Sequence, residues 1–292
     1  MSSPHYLVMN GNFVIVGKEP DGDSVRFVAD NLDLYKQLHR AYRIKPSRDG
    51  SVQLRFEGVD APELHYGSAA QPLGKEARDE LLSWMGFDHI VYKHQSTMVQ
   101  SADPASIRGA ILTQAAEANG RPVSYVLLEQ DVHLSDGTWV EVDEALLKLT
   151  MNYRLLTSGR AYYTVYTSTP FAHRQLLREA AVTARRADQG VWAVDMTSEF
   201  ALDDQASIGP AGQLILPKLF RRCTDYLKDV NSGAFHGNLA EWLVWVSSNG
   251  RDENDLVVVS DKLEVHLSDL LDQRNRRIAF QADLLDITFV EK

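Results

Sequence analysis

The chain has 292 residues, 44% hydrophobic and 24% charged, which fits one large or two modest globular domains and excludes wholesale disorder. A single cysteine, Cys223, excludes an internal disulfide and a cysteine-based zinc cluster. The formal net charge of −10 argues against a surface that coats nucleic acid nonspecifically, while leaving room for positive charge confined to one cleft.

Phe13 to Val16 reads as a strand ended by Gly17 and Pro20, and Asp21-Gly22-Asp23 is turn chemistry. Ser24 to Ala29 reads as a second strand. Asn31 to Lys45 has a helical spacing of Leu32, Tyr35 and Leu38, and Ser47 to Gly50 turns the chain. Ser51 to Phe56 alternates Val52, Leu54 and Phe56 with polar residues, as a strand does. Leu73 to Met85 carries an apolar stripe of Leu73, Ala77, Leu81, Leu82 and Met85 and predicts a helix stopped by Gly86. Ile90 to Tyr92 and Gly109 to Thr113 predict strands. Asn119-Gly120 predicts a hairpin, with Val123 to Leu128 returning. Helices are expected over Asp143 to Thr157, closed by Gly159, and over Phe171 to Asp188, capped by Gly190.

Composition shifts after Trp192. Thr197 to Gln213, with Asp203-Asp204 and Gly209-Pro210, reads as a linker or long loop. Helices follow at Leu216 to Leu227 and Leu239 to Val246, then strands at Leu256 to Val259, Leu263 to Leu267 and Ile278 to Val290. The expected division is therefore residues 1–195 as one domain and 196–292 as a small C-terminal α+β unit. No run approaches the roughly 20 apolar residues of a membrane helix, so no membrane is expected as a partner. Met1 to Asn10 lacks the pattern of a secretory signal, so the expected location is the cytoplasm.

Three segments carry chemistry together. Asp21 to Ser24 turns between two strands. Arg55 to Glu63 runs off a strand end, and Asn119-Gly120-Arg121 forms a hairpin. Asp23, Asp60 and Glu63 are hard oxygen donors suited to a cation such as Ca²⁺, which takes carboxylates, a backbone carbonyl and water. Such an ion can polarise a phosphoryl oxygen and reverse the repulsion that bare carboxylates exert on phosphate. Arg55 and Arg121 can grip phosphate oxygens in a planar fork. Arg108-Gly109 is a competing candidate for the second clamp. Arg121 is preferred because it follows a hairpin glycine and precedes the apolar strand Pro122 to Val126. The basic residues Arg174, Arg178, Arg185 and Arg186, and the pair Arg221-Arg222, read as solvated helix faces. Trp242 and Trp245 read as core, and His236 as a loop histidine.

From about Val14 to Trp192 the sequence resembles the staphylococcal nuclease (thermonuclease) family. The resemblance is carried by Asp21-Gly22-Asp23-Ser24-Val25, Leu54-Arg55 through Val59-Asp60-Ala61-Pro62-Glu63, Gly74-Lys75-Glu76-Ala77 and Gly120 to Val126. It continues in Asn152-Tyr153-Arg154-Leu155-Leu156 with Gly159-Arg160-Ala161, and in Ala184-Arg185 with Gly190-Val191-Trp192. It implies an α+β fold, an OB-like five-stranded barrel with packed helices. It implies a calcium-dependent phosphodiesterase of DNA and RNA leaving a 5′-hydroxyl and a 3′-phosphate. Asp23, Asp60 and the carbonyl of Ala61 would ligate Ca²⁺. Glu63 would be the general base or orient the attacking water, and Arg55 and Arg121 would stabilise the transition state. Ser24 and Ala61 stand where the family usually has threonine, and Asn119 replaces a tyrosine of the nucleotide pocket. The alternative is a family member that binds nucleic acid or protein without cutting. A protein partner would be met through the C-terminal unit.

Overall fold

The computed structural model describes residues 5–131 and 133–291; Met1 to Pro4, part of the stretch inspected above for a secretory signal, lie outside them. By compactness the chain forms two units: residues 1–59 with 76–157, and residues 60–75 with 158–292.

The first unit is built mainly on one seven-stranded sheet, with a separate antiparallel pair of Asp88–Tyr92 and Val99–Asp103. The strands of the main sheet are β1 (His5–Val14), β2 (Arg26–Ala29), β3 (Val52–Gln53), β4 (Arg55–Phe56), β5 (Ser106–Ala116), β6 (Pro122–Leu128) and β7 (Trp139–Glu141). The spatial order is β3-β2-β1-β5-β6-β4, with β7 added along β1. The two ends of that order, β3 and β4, are separated in sequence by Leu54 alone. Chain continuity therefore joins the sheet's opposite edges and curls it into a nearly closed barrel of five main strands, as the resemblance implies. β4 runs parallel to β6, with Arg55 opposite Val123, while the other pairs are antiparallel.

Apolar residues fill the barrel. Phe13 and Phe27 meet with ring centroids 5.0 Å apart, and Tyr6 and Tyr125 at 5.4 Å; all four are buried. Gly11 and Gly109 face each other across β1 and β5. A Cβ would lie 2.2 Å from the Val28 oxygen at Gly11 and 2.3 Å from the Leu127 oxygen at Gly109, so neither position has room for a side chain.

Several elements differ from expectation in extent. The stretch from Asn31 to Lys45 forms two short 3-10 turns, Leu32–Gln37 and Ala41–Arg43, rather than one helix. The helix expected from Asp143 to Thr157 breaks into α2 (Glu144–Lys148) and α3 (Met151–Thr157), with the Thr150 hydroxyl donating to the Leu147 carbonyl between them. These follow α1 (Gly74–Met85).

The second unit carries α4 (Phe171–Arg186), α5 (Pro217–Asn231) and α6 (Leu239–Ser248). Two three-stranded sheets complete it. One joins Glu199–Ala201, Arg277–Phe280 and Leu271–Arg274; the other joins Leu263–His266, Leu256–Val259 and Ile287–Phe289. The expected linker from Thr197 to Gln213 is structured instead. It holds the strand Glu199–Ala201 and the turn Gln205–Ile208, buries Phe200 and Ile208, and is pinned where Gln213 accepts from the Ala201 amide at 2.9 Å. Its polar run caps these short elements. The single strand expected from Ile278 to Val290 is two strands around a 3-10 turn that Asp283 caps. Among the described residues no helix is long and apolar enough to cross a membrane.

Candidate active site

Asp23, Arg55 and Arg121 are all placed by the barrel's closure. The Asp21–Ser24 turn is tied by the Asp21 amide to the Ser24 carbonyl at 2.9 Å, and the Ser24 hydroxyl donates to the Leu54 carbonyl at 2.7 Å. The Phe56 amide donates to the Asp23 carbonyl at 3.3 Å, so Asp23 lies alongside β4. Arg55 is half-buried on β4, opposite Val123. Arg121 stands two residues before that partner. The three expected residues thus come from adjoining backbone segments.

The hairpin before β6 fixes Arg121. Gly120 has φ +85°, and a Cβ there would lie 2.2 Å from the Arg43 carbonyl oxygen, so glycine is required twice over. Arg121 Nε donates to Glu117 at 3.1 Å. Burial pushes the Glu117 carboxyl up, but the Arg121 charge and the hydrogen bonds it receives outweigh this and hold it below the usual carboxylate range. Buried Asn152 on α3 accepts from the Val126 amide at 3.0 Å and donates to the carbonyls of Glu57 (2.8 Å) and Ser124 (3.0 Å). It staples the turn after β4 to β6. This explains why an asparagine leads the Asn152 to Leu156 motif.

A cleft of about 610 Å³ lies against this hairpin, lined by Arg26, Tyr42, Arg43, Lys45, Gln53 and Arg121 among others. Tyr42 is 77% exposed and stacks with the Arg43 guanidinium, 5.5 Å from its centroid. This is the confined positive patch that the overall charge left room for. Arg108 is engaged elsewhere, in a fork with both carboxylate oxygens of Asp30 on the barrel surface.

Asp60, Ala61 and Glu63 belong to the second unit. Asp60 and Ala61 are buried. The Glu63 amide donates to Gln71 Oε1 at 3.1 Å, the Gln71 amide returns to the Glu63 carbonyl at 2.9 Å, and Gln71 Nε2 reaches the Ile215 carbonyl at 2.7 Å. The carboxylates meet Arg221 of α5. Its Nη2 donates to Asp60 Oδ2 at 2.9 Å and its Nη1 to Asp60 Oδ1 at 3.3 Å, and Nη1 also contacts Glu63 Oε1. Burial lowers the affinity of Arg221 for its proton, but the charges of Asp60 and Glu63 outweigh that and keep it firmly protonated.

Arg221 is the residue beside these carboxylates that sequence reasoning missed. Sequence gives no local signal for it, because its partners are 161 and 158 residues away. Arg222, taken with it as surface, instead pairs with Glu253 and Asp255. Arg174, Arg178 and Arg185 pair with Asp261, Asp286 and Asp283, so this expected solvated face braces the C-terminal strands. Trp242 is core, as expected, with its indole donating to Asp229 at 2.9 Å. His236 is exposed.

Residues 53–194 match the family described as Staphylococcal nuclease homologue. That segment belongs to the staphylococcal nuclease family. Relatives include proteins named probable endonuclease lcl3. The one from Neosartorya fischeri is 36% identical over 88 residues, 30% of each chain. The Aspergillus clavatus protein is 35% identical over 88 residues, again 30% of each chain. The Aspergillus niger protein is 40% identical over 58 residues, 19% of this chain and 21% of that one. The match thus spans less than a third of these relatives' length.

The calcium ion implied by the resemblance can be tested against these residues. Carboxylates and a carbonyl suit a hard cation by chemistry. As arranged, however, Asp60 and Glu63 give their oxygens to Arg221. Among the described residues no group of three or more His, Cys, Asp or Glu side chains gathers as a metal cage. In this arrangement the residues do not fit the ion.

Proposed function

We propose that the protein is a nuclease that hydrolyses phosphodiester bonds of DNA or RNA. The observation carrying this reading is the alignment of Asp23, Arg55 and Arg121 on adjoining segments of a nuclease-family barrel, with a basic cleft against the Arg121 hairpin. Arg55 and Arg121 would hold phosphate oxygens and stabilise the charge that builds up on them. The cleft's cations would follow the backbone, and Tyr42 would offer a face to an unpaired base, which suits single strands. In this reading Asp23 and Asp60 are the anionic residues with Ala61 as a carbonyl donor, and Glu63 activates or orients water. The expected products carry a 5′-hydroxyl and a 3′-phosphate. Calcium dependence is a finer expectation that turns on Arg221. The single buried thiol fits the cytoplasmic location expected from sequence.

A second reading is a module that binds nucleic acid without cutting it. The hold of Arg221 on Asp60 and Glu63 favours it. Plasmid and a labelled single-stranded oligonucleotide, incubated with wild type and Arg55→Ala, each with Ca²⁺ and with chelator, separate the two. Cleavage by wild type and not by Arg55→Ala supports the nuclease. Binding without cleavage under every condition supports the second reading.

A further inference from the structure

Arg221 raises a question about the site that the family resemblance does not answer. Its side chain is 20% exposed, that of Asp60 2% and that of Glu63 13%. A guanidinium fork on a carboxylate is among the stronger polar contacts a protein makes. Here one fork spans Asp60 and also reaches Glu63.

The charges make this arrangement contestable. One guanidinium brings a single positive charge to two carboxylates, whereas a divalent cation brings two. Arginine and cation contest the same atoms, because Asp60 Oδ1, Asp60 Oδ2 and Glu63 Oε1 accept from Nη1 and Nη2 and an ion would need such oxygens within about 2.3–2.6 Å. Two positive centres would then face each other in a poorly solvated place. Arginine keeps its proton at every ordinary pH, so only displacement can release the carboxylates.

The surroundings hold Arg221 in position. Residues 60–75 are laced to the same stretch of chain at further points: Tyr66 donates to Asp225 at 2.6 Å, and Gln71 to the Ile215 carbonyl at 2.7 Å. Asp225 is four residues after Arg221 and so lies on the same face of α5. On that helix Lys218 pairs with Asp255 at 3.2 Å, and Arg222 with Asp255 at 2.8 Å. These contacts set the register of α5 and with it the position of residue 221.

We propose that Arg221 and a divalent cation compete for the carboxylates of Asp60 and Glu63, so that α5 holds this pair closed to cations. It rests on the reading above only in treating these carboxylates as part of a nuclease site. The binding itself needs no cleavage.

The test is calcium titration of the full chain by calorimetry, with thermal unfolding at rising Ca²⁺ as a second readout. Wild type is compared with Arg221→Met, which keeps the aliphatic bulk, and with the double variant Arg221→Met/Asp60→Asn. If the open pair is under a tenth populated in wild type, removing Arg221 tightens calcium binding at least about tenfold. The unfolding temperature of Arg221→Met then rises with Ca²⁺ and that of the double variant does not. Should Arg221→Met fail to fold, Arg221→Lys keeps the charge but loses the fork, and is expected to bind calcium more tightly than wild type. Equal affinity in wild type and a folded Arg221 variant, or no binding by either, overturns the proposal. Calcium gain without cleavage by any variant upholds it and rejects the nuclease reading.

Discussion

Replacing Arg121 by alanine separates a phosphate clamp from a surface ion pair. Arg121 lines the basic cleft, and Glu117 aims it through Nε at 3.1 Å. An arginine that stabilises charge mainly in the transition state is worth roughly 10²–10³ in rate, about 3–4 kcal/mol. The cost to folding is smaller. After the change Glu117 keeps the amides of Asn119 at 3.1 Å and residue 121 at 3.2 Å, so about 1–2 kcal/mol of charge-assisted bonding is lost. Arg108→Ala is the control. Its pair with Asp30 has side chains 38% and 42% exposed, and solvent screening limits such a pair to about 0–1 kcal/mol. Initial rates on a single-stranded oligonucleotide, with thermal unfolding at the same pH, read both quantities. Arg121→Ala should lose most turnover while staying folded, and Arg108→Ala should change little. Equal small losses would show that neither arginine is the clamp. A large loss for Arg108→Ala alone would show that the wrong turn was chosen.

Asn152→Ala removes the staple between the turn after β4 and β6 and leaves buried backbone groups unpaired; a loss of about 2–4 kcal/mol is expected by denaturant unfolding, and an unchanged midpoint would remove its positioning role. The folded Glu117 carboxyl lies below its unfolded value, so its contribution to stability is present above the unfolded pKa of about 4.3 and fades as pH falls through the folded value. Glu117→Gln should flatten that acid limb, and an unaltered limb would place the effect elsewhere. Four cations line the cleft, Arg26, Arg43, Lys45 and Arg121, so binding of a single strand should weaken with salt at a log–log slope no steeper than about −3, near −0.7 per phosphate. A slope implying ten contacts would require another surface. Ending the chain after residue 195 tests the boundary expected there. It deprives residues 158–194 of the Phe289 strand and of the partners of Arg174, Arg178 and Arg185, so low solubility or lost cleavage is expected, and a soluble, active fragment would uphold the boundary.

The barrel was legible in the sequence only in part: its local signals were, but the central strand His5–Val14 read only as Phe13 to Val16, because its apolar run from Tyr6 to Met9 shows no alternation. Alternation marks the strand from Ser51 to Phe56, Asn119-Gly120 marks the hairpin, and the Arg55 to Glu63 spacing carries the family pattern. The short strand β7 and the strand Leu271–Arg274 were not legible, since three or four residues give no period to read. The stretch from Asn31 to Lys45 has helical spacing but folds as two 3-10 turns, with Arg40 at φ 60° breaking the run between them. The polar stretch from Thr197 to Gln213 read as a linker because its turn chemistry hides how Phe200 and Ile208 are buried.

Arg221 was illegible for a different reason. An arginine pair on an amphipathic helix is ordinarily solvated, and nothing within reach along the sequence distinguishes residue 221 from residue 228. What distinguishes it is a loop that arrives from residues 60–75. The family match ends at residue 194, yet a counter-charge of Asp60 and Glu63 comes from residue 221. A motif therefore records which carboxylates are present, but not what neutralises them, and it is the neutralising charge that decides whether they can take a cation. The matched segment taken alone would lack the guanidinium of Arg221. With α5 present the same two carboxylates are ion-paired to Arg221, which makes that helix part of the candidate site's electrostatics.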